Sequence, residues 1–321
     1  MKYLLLLNTS WTDQLFEFII TLILGILSGI IATIIYKRYS EKLNNLPLGK
    51  ILNFGNDDLL FVFPHRNEVV INEPASKEEG KPIKPPKIIP RTATEDFIAI
   101  NNIISAILKL NWRKNVKAYD VDRFFGDFHN VRGKNLVTVC SRKINKLTNI
   151  LAQGLEEKGV NFFRTELVDP KTNPDQKYEE WRVVDNHGRY PSRTYTEMMA
   201  YLKNGKKPED FAELKLTDKA VITKMMNPWN AQNKIIMIAG ARGIGTWGAA
   251  ECIKKEWKQI QKKLRYASRE KGLKSNCDFS ALIEITYEKY DIKKIEVQKI
   301  EVISVESQGG LGEILDELVN M

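Results

Sequence analysis

The chain has 321 residues, 43% hydrophobic and 28% charged, an ordinary globular composition with room for one large core or two modest ones. Its net charge of +9 and pI near 9.2 favour anionic partners such as nucleotides, nucleic acid or anionic lipid head groups. Three cysteines without a CxxC spacing and three widely separated histidines argue against a disulfide framework and against a motif-built metal site.

Residues 1–14 form an N-terminal flank whose apolar start, MKYLLLL, is too short to span a bilayer. Residues 15–36, LFEFIITLILGILSGIIATIIY, are long enough to cross, and their one charge, Glu17, sits at the edge. Lys37, Arg38 and Lys42 follow at once, which predicts a single pass with the C-terminal part in the cytoplasm, in a cell inner membrane. The length of the run and the lack of a small-x-small exit argue against a cleaved signal peptide. Thr21, Gly25, Gly29 and Thr33 recur every four residues, a small-residue face suited to helix association and hence to a homo-oligomer.

Residues 37–57 read as a juxtamembrane linker and 58–321 as one α/β ligand-binding domain. Asp58–Pro64 reads as a strand running into His65 and Arg66. Val69–Pro90 holds five prolines and reads as an extended loop. Arg91–Leu110 has acidic residues in its first turn and apolar residues at helical spacing, which predicts a helix. Val116–Val121 reads as a strand and Phe124–Asn130 as a loop or short turn. Asn135–Cys140, NLVTVC, is an apolar strand, followed by a basic loop and a helix over Leu147–Glu157. Tyr178–Arg189 reads as a hairpin, Glu197–Lys203 as a short helix and Asp218–Met226 as a strand ending in an Asn-Pro-Trp-Asn turn.

Lys234–Glu256 then gives a buried strand, a glycine turn (Gly240, Gly243, Gly245) and a helix starting near Thr246. Such a turn offers backbone N–H groups and a positive helix end to an anion, and Arg242 adds a full charge. One long lysine-rich helix is expected over Ala249–Arg269. Lys254–Lys274 interleaves basic residues with Trp257 and Tyr266, a pattern that suits nucleic acid, or anionic lipid if the stretch faces the bilayer; Glu251, Glu256 and Glu270 interrupt it, so it reads as a solvated face and nucleic acid is not expected as a partner. Ser280–Tyr290 and Lys294–Val305 read as a terminal hairpin. Ile314, Leu315, Leu318 and Val319 give a small apolar face.

The string GARGIG looks like the cofactor turn of short-chain dehydrogenases, but three departures set the chain apart from that family. Two residues rather than three separate Gly240 from Gly243. Fewer than 80 residues follow the turn. The Tyr290…Lys294 pair falls in a hairpin. No Gly-Lys-Ser/Thr follows the loop, so it is not a P-loop, and no nucleophile motif is present. Nothing identifies a cofactor or a reaction.

The expected fold is α/β: an N-terminal transmembrane helix, then a Rossmann-like, mainly parallel sheet with helices on its faces and an antiparallel C-terminal hairpin. Three strand–loop–helix units carry basic loops. If their strands are neighbours, Arg66, Arg91, Arg142, Lys143 and Arg242 converge, with Asn145 and Thr246 as polar partners. The expected function is a membrane-anchored receptor or effector. It would bind a nucleotide-like or phosphorylated signal, coupled to helix association, in a layout like that of bacterial stress or defence effectors. A membrane-tethered enzyme acting on a nucleotide or nucleotide-sugar, and a protein-binding scaffold without a small-molecule site, are the alternatives.

Overall fold

The computed structural model describes nine residues between 19 and 34, then 52, 54, 58–64, 66–71, 87–91, 94–110, 115–168, 180–190, 215–273, 277–288 and 291–321. The chain divides into two compact units, 1–47 and 48–321. In the first, the described residues, Ile19 to Ile34, are helical and exposed. Among the described residues no helix is long and apolar enough to cross a membrane. Much of the run 15–36 lies outside them, as do Thr21, Gly25 and Gly29; of the small-residue face, Thr33 alone is described.

The second unit is built on a mixed seven-stranded sheet. Its strands are β1 (Leu59–Phe63), β4 (Val116–Asp120), β5 (Asn135–Val139), β9 (Leu216–Asn227), β10 (Asn230–Gly240), β11 (Asp278–Glu288) and β12 (Asp291–Ile303). The order across the sheet is β12-β11-β9-β10-β5-β1-β4. β10, β5, β1 and β4 are mutually parallel, whereas β9, β11 and β12 pair antiparallel. β1 and β5 are short and almost wholly buried, as expected of parallel strands covered on both faces. The register sets Phe61 beside Val137, and Val137 beside Ile236, so one face presents a continuous apolar row.

That face is covered by α1 (Thr94–Leu110), α5 (Gly243–Lys255) and α6 (Trp257–Glu270). The other is covered by α2 (Val121–Gly126), α3 (Phe128–Val131), α4 (Lys146–Glu157) and α7 (Leu311–Asn320). Small residues let these layers approach. A Cβ on Gly248 of α5 would lie 2.2 Å from Ile285 Cγ1, and one on Gly154 of α4 would lie 2.5 Å from Leu315 Cδ2. α1 and α5 are also clamped by polar groups: Asn102 Nδ2 donates to Glu251 Oε2 at 2.6 Å, and Lys254 Nζ donates to Asn102 Oδ1 at 2.8 Å.

Two smaller sheets flank this core. β2 (Arg66–Ile71) and β3 (Lys87–Arg91) form a ribbon that leaves β1, so the ends of the proline-rich stretch are paired strands rather than loop. β6 (Arg164–Val168), β7 (Glu180–Val184) and β8 (Arg189–Tyr190) form a three-stranded sheet. Asp185 ties it to the main sheet. Its Oδ1 accepts from the His187 and Gly188 N–H groups, and its Oδ2 accepts from Tyr190 Oη at 2.9 Å and Lys299 Nζ at 3.4 Å.

Several expectations are corrected. Phe124–Asn130 is not a loop: Asp120 caps α2 by accepting from the Arg123 N–H at 2.7 Å, and Phe124 and Phe128 bury themselves on the sheet. The helix after the glycine turn starts at Gly243 and breaks at Glu256, where α6 begins on the buried Trp257. Leu52, read as linker, is buried in the core. The helix read over Glu197–Lys203 lies outside the described residues.

Deep in the sheet, Lys224 is 1% exposed and its Nζ stands 3.8 Å from Asp278 Oδ1. Burial lowers its amine to about 8. Asp278 also accepts from the Met226 N–H, Gln308 Nε2 and Lys234 Nζ, which anchors the segment leading into α7.

Candidate functional site at the carboxyl edge of the parallel strands

β1 leads through α1 to β4 on one side; the chain then crosses back to β5 on the other. The strand order therefore switches between β1 and β5, and the crevice outside their carboxyl ends is the usual ligand position in open α/β sheets. β10, β5 and β1 are adjacent and parallel, so the loops after residues 63, 139 and 240 all leave from this one edge. The backbone is unusual here. Cys140, directly after β5, has φ +86°, a left-handed conformation taken by no other non-glycine residue among those described.

The side chains divide by role. Asn145 is fully buried. Its Oδ1 accepts from the Leu147 and Thr148 N–H groups and caps α4, while its Nδ2 donates to Val139 O at 2.8 Å and Val62 O at 3.1 Å. It pins β1, β5 and α4 together and forms the floor of the crevice. Arg142 turns along α4, with Nε donating to Asn149 Oδ1 at 3.0 Å and Nη1 donating to Glu156 Oε1 at 2.8 Å. Glu156 also pairs with Arg164. Lys143 is exposed, its ammonium 5.9 Å from the centre of the Trp181 ring on β7. Arg66 and Arg91 are backbone partners across the β2–β3 ribbon.

The glycine turn is filled. A Cβ on Gly240 would lie 2.3 Å from Thr246 N and 2.4 Å from Arg242 O; one on Gly245 would lie 2.6 Å from Asp218 Oδ2; one on Gly243 would lie 3.2 Å from Glu95 Cβ. None of the three has a positive φ, so they are needed for space rather than for a special backbone conformation. Thr246 is buried, and its Oγ1 accepts from the Gly240 N–H at 3.0 Å.

The N-terminus of α5 already faces an internal carboxylate. Asp218 is fully buried, accepts from the Lys219 N–H at 2.8 Å, and faces the Arg242 and Gly245 N–H groups and the Arg242 charge. Burial outweighs these attractions and raises its carboxyl to about 6. The native state thus holds this proton more tightly than the unfolded chain, whose carboxyl titrates near 4. The stabilisation is complete below about pH 4 and is lost as pH rises through about 6, a change of about 3 kcal/mol. Urea unfolding at pH 5 and pH 7.5 checks this: the slope between the two should flatten in Asp218→Asn, whatever that variant's absolute stability.

The three basic loops were expected to converge only if their strands are neighbours, and Asp218 and Trp181 were not among the expected site residues. Asp218 stood inside an apparent strand start, and Trp181 in a hairpin with no sequence link to the loop at Lys143. Among the described residues no group of His, Cys, Asp or Glu could hold a metal ion. Burial pushes the Cys252 thiol up to about 12, which makes it inert near neutral pH. No protein-family model matches the chain, and no curated protein is significantly similar to it.

Proposed function

We propose that the second unit binds a small anionic, nucleotide-like ligand in the crevice between the carboxyl ends of β1 and β5. The observation that carries this reading is the adjacency of β10, β5 and β1, which sends three basic loops out along one edge at a switch in strand order. The left-handed Cys140 supports it, because strained backbone is concentrated at functional sites. Lys143 and Arg242 supply charge, Trp181 offers an aromatic wall, and Asn145 holds the floor. Gly240, Gly243, Gly245 and Thr246 shape the neighbouring turn, and Arg142 braces the loop from behind.

We further propose that residues 15–36 tether the chain to a membrane and that ligand binding alters helix association there, as in a receptor or effector of bacterial stress or defence signalling. The apolar run and its basic C-terminal flank support this part. A protein-binding scaffold is favoured by one observation, the filled glycine turn with Asp218 at the α5 N-terminus. A tethered enzyme acting on the same class of ligand is the remaining alternative.

Thermal-shift measurements on the full chain in detergent, with a panel of nucleotides, test the ligand reading. At least one nucleotide should raise the melting temperature by several degrees, and Lys143→Ala should abolish the shift. A panel without effect favours the scaffold.

A further inference from the structure

The charge that the crevice does not use is concentrated on α6. Its buried side carries Trp257, Ile260, Leu264 and Ser268, so the helix is fixed against the sheet with one face outward. On that outward face Lys258, Lys262, Arg265 and Arg269 are all exposed, at spacings of four, three and four residues. This is a straight stripe about 16 Å long. None of the four side chains makes a hydrogen bond or ion pair to any described residue; of the four, Lys258 alone has a ring contact, 5.8 Å from the centre of Trp257. The acidic groups alongside are already engaged. Glu301 pairs with Lys271 and Lys299, Asp185 with Lys299, and Glu270 with the Tyr266 hydroxyl. The stripe borders a shallow groove of about 950 Å³ between α6 and β12.

We propose that this face of α6 docks on an anionic phospholipid bilayer. Four cations in a row along one face of a helix packed on the sheet match a flat negative surface, and each adds an electrostatic contribution that salt screens. No large apolar side chain other than Tyr266 projects from the face, so the contact is adsorption rather than insertion. A bilayer is favoured over nucleic acid on two grounds. The one exposed ring on this face among the described residues, Tyr266, is held by Glu270 and gives a base no free stacking platform. The same chain carries the apolar run 15–36, which would keep the stripe at high effective concentration near lipid. The inference rests on the membrane part of the proposed function and is independent of the crevice ligand.

The test uses the full chain with Tyr266→Cys, in a Cys277→Ser background, carrying a fluorophore at position 266. It is reconstituted into vesicles of phosphatidylcholine alone or with phosphatidylglycerol. Flotation that survives alkaline washing reports the membrane tether; quenching by a water-soluble quencher reports docking. Phosphatidylglycerol should lower quenching at least about twofold, high salt should restore it, and replacing the four stripe cations by Gln should abolish the effect. Equal quenching in both lipids overturns the docking proposal even when flotation succeeds. Protection by an oligonucleotide but not by lipid overturns it in favour of nucleic acid. Failed flotation with protection on added anionic vesicles removes the tether and keeps the docking face.

Discussion

Gly240→Ala is expected to destabilise the fold by about 3–4 kcal/mol, among the largest losses any single methyl can cause in this protein. The added carbon would meet Thr246 N, Arg242 O and Gly245 C at 2.3–2.5 Å. All three are backbone atoms, so no side-chain rotation relieves the contact. β10 and α5 would have to separate, and α5 is held by α1 on one side and by Ile285 against Gly248 on the other. The Thr246 bond to the Gly240 N–H would lengthen in the same movement. Gly126→Ala is the control, since nothing lies within 4 Å of its added carbon; it should be neutral or stabilise by up to about 1 kcal/mol. Urea midpoints of the two variants decide the matter. A Gly240→Ala variant as stable as the wild type would mean that the turn is open.

Asn145→Ala is expected to cost about 3–5 kcal/mol. One side chain makes four hydrogen bonds, two capping α4 and two tying the ends of β1 and β5. Truncation leaves two carbonyls and two N–H groups without that partner in a buried place, and an unmade buried bond costs more than a made one gains. Asn145→Asp separates the roles. It keeps the cap but sets a carboxylate against the Val62 and Val139 carbonyls, which raises its affinity for a proton. It should therefore be destabilised at pH 7 and recover part of the loss as pH falls and the carboxyl becomes a donor. Urea unfolding at pH 7 and at pH 5 reads both effects.

Three of the four parallel strands were legible because they hold continuous apolar runs between breakers, LLFVF, NLVTV and IIMIA; β4, VKAYD, holds no such run. Their adjacency was not legible. It depends on a crossover from β4 to β5 that only packing decides. The antiparallel half was readable from alternation on β11 and β12, whereas the break at Glu256 was hidden inside an unbroken helical composition. Residue types at the site were less informative than their positions. Asn145 read as an amide for recognition, yet burial makes it a lock between strands. Arg142 read as a free charge, yet Glu156, fourteen residues on, draws it along α4. Asp218 gave no signal, because a carboxylate near a strand start is ordinarily solvated; its burial follows from the close approach of the glycine turn.

The most direct test of the crevice is the small molecule that the protein itself carries. The full chain, purified in detergent and gently denatured, is assayed by mass spectrometry beside a Lys143→Ala/Arg242→Ala variant. The proposed function predicts a nucleotide-sized anion released in near-stoichiometric amount by the wild type and absent from the variant. An anion retained equally by both, or none released by a wild type that also shows no nucleotide-dependent melting shift, would contradict it.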